Sequence, residues 1–308
     1  MAEIVISEFM DEAAIRDTFG GRSVLYDPKL VDDAPRLLAE VRDARALIVR
    51  NRTQVRGALL DAATNLRVVG RLGVGLDNID VAACEARGIA VYPASGANDL
   101  SVAEYVITAA LVLLRRAWFA TSRVAAGEWP RTDLMGRELG GKRLGLIGFG
   151  GIARVTARMA RDLGMTISAY DPLLPADHAA WSAAARRTLA EVLAESDVVS
   201  LHVPLTPDTR NMIDAGAIAR MKRDAILVNA ARGGIVDELA LADALRAGRL
   251  GGAALDVFER EPVDAAYGAR FAGVPNLILT PHIAGVTEES NVRVSSVTAQ
   301  SVLRHLQA

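Results

Sequence analysis

The sequence is short of cysteine, of excess charge of either sign and of long apolar runs, and each shortage excludes something. One cysteine, Cys84, in 308 residues rules out an internal disulfide and any cysteine-rich metal site. A reducing cytoplasm is therefore the expected compartment. Thirty-five Lys and Arg against 37 Asp and Glu leave a formal charge of −2. Neither nucleic acid nor a membrane surface is an expected partner of so balanced a chain. The longest apolar helical run, Tyr105 to Leu114, is too short to cross a bilayer. The N-terminus, Met1 to Glu8, lacks the positive start of a signal peptide. There is no low-complexity tract and no fixed-period repeat. The 4 histidines show no metal-ligand spacing, so no catalytic metal is expected. No Gly-x-Ser-x-Gly elbow suggests a hydrolase.

What is present is a chain that is 51% hydrophobic, with the length of about two domains. Short β-rich runs recur at Ile4–Ser7, Ser23–Asp27, Ala46–Arg50, Leu66–Leu72 and Ile89–Tyr92. Amphipathic stretches such as Ala34 to Ala44 and Thr53 to Ala63 separate most of them, which predicts a parallel sheet covered by helices on both faces. Pro93 to Asn98 breaks this rhythm. A long helix follows, with Asp99 or Ser101 placed to cap it, so the first domain is expected to end at residue 98. From about 142 to 282 the alternation resumes with six strand-like runs, the strand count of a dinucleotide-binding domain. Residues 286 to 306 read as a closing helix that returns to the first domain.

The most informative stretch is Lys142 to Ala153. A buried-strand pattern turns through Gly148, Gly150 and Gly151 into a helical segment starting at Ile152. Gly148 permits the turn, Gly150 lets backbone approach a pyrophosphate, and small Ala153 allows close helix packing. The free N–H groups and positive end of the helix then face the phosphates. The next strand ends at Asp171, roughly 20 residues after the loop, where a carboxylate hydrogen-bonds a ribose 2′-hydroxyl and repels a 2′-phosphate. The expected cofactor is NAD rather than NADP.

Ligands of open α/β sheets sit beyond the C-terminal ends of the strands. Arg232, Glu261 and His282 all follow such ends, and so does Gly73-Val74-Gly75. Together they suit the interconversion of a hydroxy acid and a keto acid. His282 titrates in the range a general acid needs. Glu261 stabilises its imidazolium and fixes its orientation. Arg232 offers a planar fork to the substrate carboxylate and polarises the reacting oxygen. The N–H groups of Val74 and Gly75 can hold the other carboxylate oxygen. Plainer readings exist: a lone histidine after a strand is commonly a packing residue, and Glu261 before Pro262 suits a solvated turn. His202 also follows a strand but has no acidic neighbour, so it is read as packing. His178 and His305 are read as exposed.

Several of these motifs, taken together, resemble the NAD-dependent D-isomer-specific 2-hydroxyacid dehydrogenases. They are Gly73–Asp80, Asn98 with Ser101–Glu104, the Gly148 loop, His202–Thr206, Asn229–Gly234, Asp256–Pro262 and Pro281–Gly285. The resemblance implies an α/β fold of two doubly wound parallel-sheet domains. A Rossmann NAD-binding domain, 99–284, is inserted into a flavodoxin-like substrate domain made of 1–98 and 285–308. It implies the same roles for Arg232, Glu261 and His282, with Asn98 at the substrate. It places Asp256 at the nicotinamide amide and lines the cofactor with His202, Pro204, Thr206, Ala230 and Gly285, besides Gly148, Gly150, Gly151, Ile152 and Asp171. It also implies a homodimer built largely on the NAD domain. Histidine with glutamate separates the chain from related formate dehydrogenases, which carry glutamine in that place. Position 151 is glycine where relatives often carry a polar or basic residue; Arg154 is a possible substitute.

Arg50-Asn51-Arg52-Thr53 follows a strand end and resembles the Arg-Ser-Arg-Thr of phosphoglycerate dehydrogenases, where basic residues meet a phosphate. Two arginines there suit a substrate with a second anionic group, unless they form a solvated basic loop. The run Ile4–Met10 resembles sulfolactate dehydrogenases, and sulfonate and phosphate make the same demand on arginine. Expected substrates are 3-sulfolactate or 3-phosphoglycerate, with glyoxylate or hydroxypyruvate as the alternative. With the last residue at Ala308, feedback through an extra C-terminal regulatory domain is not expected. A reading of another class is a dinucleotide-sensing protein like the corepressors of this family. The presence of all three catalytic residues and the lack of a basic tail argue against it.

Overall fold

The computed structural model describes residues 2–116 and 120–308. It divides into two compact units, Met1–Asn98 with Val286–Ala308, and Asp99–Gly285. Gly285 thus lies with the second unit.

The first unit holds five strands: β1 (Ile4–Ile6), β2 (Val24–Tyr26), β3 (Ala46–Val49), β4 (Val68–Arg71) and β5 (Ala90–Pro93). All pair in parallel, in the order β2-β1-β3-β4-β5, the doubly wound order of flavodoxin-like sheets. Both faces are buried, which is why the strands read as continuous apolar runs rather than alternating ones. Val5, Leu47, Val49 and Val69 pack on one face, and Ile4, Ile6, Ile48 and Val68 on the other. The second face is closed by the helix Glu288–Gln307, which Thr287 caps in a reciprocal box with Ser290. A Cβ on Gly70 would lie 2.7 Å from methyls of Thr298 and Val302, so the glycine in β4 lets this helix dock. The helices expected at Ala34 to Ala44 and Thr53 to Ala63 contract to Ala34–Glu40 and Ala58–Ala62. Thr53 and Val55 are drawn into the loop instead, by bonds to Glu8 and Asn78.

Among its described residues the second unit has seven parallel strands rather than the six expected: β6 (Arg143–Ile147), β7 (Thr166–Tyr170), β8 (Ala185–Arg186), β9 (Val198–Leu201), β10 (Ile226–Asn229), β11 (Gly252–Leu255) and β12 (Leu277–Leu279). The additional strand, β8, is two exposed residues paired with β7. It is too short and too polar to show a period. The order is β12-β11-β10-β9-β6-β7-β8, so the winding reverses between β6 and β9. That reversal is the switch point where such sheets bind ligands. The helices Asp99–Arg115 and Gly151–Asp162 pack against each other on one face around Val106, Leu113, Ala153 and Ala157. Asp99 opens the first of them and lies inside its first turn rather than capping it from outside. No described helix is long and apolar enough to cross a membrane.

Candidate active site

At the switch point, β6 runs into Gly148, whose φ of +87° only glycine adopts readily. A Cβ there would lie 2.5 Å from the carbonyl oxygen of His202, which follows β9. The helix Gly151–Asp162 starts at Gly150 with no side-chain cap, so its first-turn N–H groups are offered to an anion. A Cβ on Gly150 would meet nothing within 4 Å, which leaves backbone open to close approach. Asp171 ties this turn down. Its Oδ2 accepts from Phe149 N at 2.8 Å, and its Oδ1 from Leu173 N and Leu174 N at 3.0 and 3.1 Å. Oδ2, which accepts once, keeps a lone pair for a ribose hydroxyl. An uncapped helix start, an open glycine and a fixed acid fit a dinucleotide. Gly151 is the first residue of that helix and Ile152 the second, and Arg154 donates Nε to Phe149 O at 2.9 Å.

Of the other residues assigned to the cofactor, His202 is bonded through Nε2 to Ser200 Oγ at 3.0 Å, and burial lowers its pKa to about 4. It is a neutral packing imidazole. Pro204 is exposed, while Thr206 is half-buried and donates its N–H to Thr209 Oγ1 at 2.7 Å. Ala230 and Gly285 are half-buried after β10 and β12. Asp256 is buried beneath the loop that carries His282.

The three catalytic candidates follow β10, β11 and β12, which lie side by side in the sheet. After β10, Asn229 clamps the turn of Arg232 by donating to Arg232 O at 2.9 Å and accepting from Ala231 N at 3.1 Å. Arg232 Nη1 donates to Ala231 O at 2.6 Å. After β11, Glu261 Oε1 accepts from Phe258 N at 2.9 Å. Its Oε2 lies 2.7 Å from Nδ1 of His282. A carboxylate only accepts, so Nδ1 carries the proton and Nε2 is the nitrogen that faces outward. Burial pushes the Glu261 carboxyl up, but His282, the Phe258 N–H and the charge of Arg232 outweigh it and hold the group below its ordinary value. The pair is half-exposed, with side-chain exposures of 40% and 32%, so substrate has access to it. Among the described residues no cluster of His, Cys, Asp and Glu is arranged to hold a metal ion.

In the first unit, the loops after β3, β4 and β5 carry the residues assigned to substrate. Glu8, buried and overlooked in the sequence, organises the first of them. Its carboxylate accepts from Arg50 N at 2.8 Å, Thr53 N at 3.0 Å and Arg52 N at 3.1 Å. Asn78 Nδ2 donates to Thr53 O at 2.7 Å from the other side. Arg50 is half-buried, donates to Asn291 Oδ1 at 2.7 Å and lies 5.9 Å from the Phe9 ring. Asn51 and Arg52 are exposed, and Arg52 pairs with Asp32. Val74 is exposed and Gly75 half-buried. Asn98 is half-buried, and its Oδ1 has no partner among the described residues. A further arginine was also missed. Arg71 ends β4 and folds back so that Nη1 sits 1.6 Å from where a Gly73 Cβ would be. The glycine before Val74 is what gives that guanidinium its place.

Two doubly wound sheets, a dinucleotide loop at a switch point and a paired imidazole and carboxylate define an NAD-dependent dehydrogenase. Comparison with known proteins agrees. Residues 107–284 match the family model "D-isomer specific 2-hydroxyacid dehydrogenase, NAD binding domain". The chain is 57% identical over 307 residues to the (S)-sulfolactate dehydrogenase of Chromohalobacter salexigens, covering 99% of each. It is 38% identical over 301 residues to the D-3-phosphoglycerate dehydrogenase of Archaeoglobus fulgidus, covering 98% of this chain but 56% of that longer one. Among solved structures, the D-lactate dehydrogenase of Aquifex aeolicus with NAD and lactic acid superposes with TM-score 0.85 at 28% identity, over 99% and 95% of the two chains. The chain belongs to the D-isomer specific 2-hydroxyacid dehydrogenase family. It uses NAD to interconvert a 2-hydroxy acid and its 2-keto acid.

Proposed function

We propose that His282, Glu261 and Arg232 carry the reaction and that the substrate has a second anionic group, with 3-sulfolactate first and 3-phosphoglycerate second. The carrying observation is the 2.7 Å contact between His282 Nδ1 and Glu261 Oε2. When bound, the nicotinamide supplies or accepts the hydride. In reduction of the keto acid, negative charge grows on the carbonyl oxygen, and His282 Nε2 delivers the proton there. Glu261 is held ionised and offsets the imidazolium charge on the far nitrogen. Arg232 binds the substrate carboxylate and polarises the carbonyl. In the oxidation direction His282 takes the hydroxyl proton back.

In the first unit, the N–H groups of Val74 and Gly75 and the amide of Asn98 would receive the carboxyl end. Arg52 and Arg50, with Arg71, would receive the second anion. The sulfonate has the stronger support, because the 57% identical relative covers the whole chain. The (S) label of that relative's substrate does not conflict with a D-specific family. A carbon bearing sulfur outranks the carboxyl carbon, so (S)-sulfolactate has the handedness of a D-2-hydroxy acid. The enzyme is further read as a cytoplasmic homodimer. The cytoplasmic reading rests on the lone buried thiol of Cys84, and the dimer on apolar side chains that the NAD-binding unit exposes.

The test is NADH oxidation against sulfopyruvate, phosphohydroxypyruvate, hydroxypyruvate and glyoxylate, for wild type and His282→Ala. The variant should lose about 10²–10⁴-fold in kcat while still binding NADH. Full activity in the variant would refute the assignment. Equal kcat/KM on all four acids would remove the second anion, and no turnover with any, despite tight NADH binding, would return the sensing reading.

A further inference from the structure

Tyr105 stands on the helix Asp99–Arg115, far along the chain from every catalytic loop, and takes no part in the steps above. Its hydroxyl lies 2.6 Å from Thr280 Oγ1, and Thr280 Oγ1 donates to Asp256 Oδ1 at 2.6 Å. A threonine hydroxyl has one proton, so with that proton on Asp256 it accepts from Tyr105. The direction of the chain is thereby fixed: Tyr105 to Thr280 to Asp256. Asp256 is 1% exposed and accepts from Ile283 N at 2.8 Å and Ala284 N at 2.7 Å. Its backbone carbonyl accepts from His282 N at 2.8 Å. Three successive N–H groups, 282 to 284, thus converge on one residue. His282 needs that hold, because its φ of +57° is left-handed backbone that costs a non-glycine residue on the order of 1–2 kcal/mol.

We propose that Tyr105 and Thr280 are positioning residues for the general acid: they keep Asp256 an acceptor on both oxygens, and Asp256 holds the His282 loop in its working conformation. Oδ1 already accepts twice, so a proton there would displace the Thr280 hydroxyl or the Ile283 N–H, and a proton on Oδ2 would leave that oxygen a single lone pair, the one the Ala284 N–H uses. The tendency to protonate is present. Burial pushes the Asp256 carboxyl up, against the hydroxyl of Thr280, the N–H groups of Ala284 and Ile283 and the charge of His282. The titratable groups that face it are His282 and Tyr105. Tyr105 itself is pushed by burial to about 12, so it remains a neutral donor across the working range.

The inference rests on the reading of His282 as general acid, so His282→Ala is measured alongside. Thr280→Val, Thr280→Ser and Tyr105→Phe are compared with wild type by two readouts. One is the pH profile of kcat/KM for NADH oxidation with whichever of sulfopyruvate and glyoxylate turns over faster. The other is amide hydrogen exchange across residues 280–286. Thr280→Val removes a donor from Asp256, so the acid limb should move to higher pH and kcat/KM at pH 7 should fall about 10- to 100-fold. Exchange at 283 and 284 should quicken about tenfold or more, and Thr280→Ser should restore both. Tyr105→Phe should move both the same way by about 3- to 10-fold, and it decides the matter if Thr280→Val does not fold. An acid limb and an exchange rate left at wild-type values in Tyr105→Phe and Thr280→Val overturn the relay, even if Tm falls. If His282→Ala keeps full kcat, the general-acid reading is what fails, and the exchange rates alone decide whether the relay holds the loop.

Discussion

At the scale of single residues, the site is built from buried or half-buried acceptors that gather backbone donors. Glu8 takes three N–H groups of the Arg50 loop, Asp256 two of the His282 loop and Asp171 three around the dinucleotide turn. Glu238, also buried, takes the N–H of Glu259 at 2.8 Å and so steadies the loop of Glu261. Hydrogen bonds to a charged acceptor are worth about 1.5–3 kcal/mol each, enough to hold a loop that little apolar surface anchors. For Asp171 this has a measurable consequence. Asp171→Ala should weaken NADH about 10-fold or more and relax the preference for NADH over NADPH. The check is kcat/KM with both cofactors, and an unchanged ratio would count against the ribose role. This scale was only half legible in the sequence. Arg232, Glu261 and His282 announce themselves because each follows an apolar run and bears a group that chemistry needs. Glu8 and Arg71 did not, because what they touch is backbone or a missing Cβ, and no spacing of side chains records either.

At the scale of elements, neighbouring strands matter more than neighbouring residues. The catalytic three follow β10, β11 and β12, and the substrate loops follow β3, β4 and β5, each an unbroken row in its own sheet. Residues 29 and 21 positions apart in sequence are thereby brought to one edge. Glycines set the fine spacing of these loops. A Cβ on Gly233 would lie 1.8 Å from Phe258 O and 2.5 Å from Glu259 N, both rigid backbone. Gly233→Ala should therefore push the loop of Arg232 away from that of Glu261. It should destabilise the protein by about 1–3 kcal/mol in urea unfolding and lower kcat. Strands and long helices were readable because their apolar periods are strong. β8, with two exposed residues, and the short helix Ala58–Ala62 were not, since loop contacts rather than periodicity decide where they start and stop.

At the scale of the whole molecule, the NAD-binding unit presents large apolar side chains to solvent. Leu111, Val124, Trp129 and Met135 are 37%, 46%, 77% and 72% exposed within 25 residues of chain. Isolated exposed hydrophobics are ordinary, but several in one segment mark a surface that another protein covers. A second copy of the chain is the occupant proposed. Sedimentation equilibrium should give twice the 32.7 kDa of one chain, and Trp129→Asp with Met135→Asp should return it to one. A monomeric wild type would dispose of the dimer.

The seating of Thr298 and Val302 over Gly70 has a temporal side. A ribosome reading this message makes every residue of the dinucleotide unit before it makes the final helix. The unit begun first is therefore the one completed last. Until the helix Glu288–Gln307 emerges, the face of β4 at Gly70 waits without the methyls of Thr298 and Val302 that cover it.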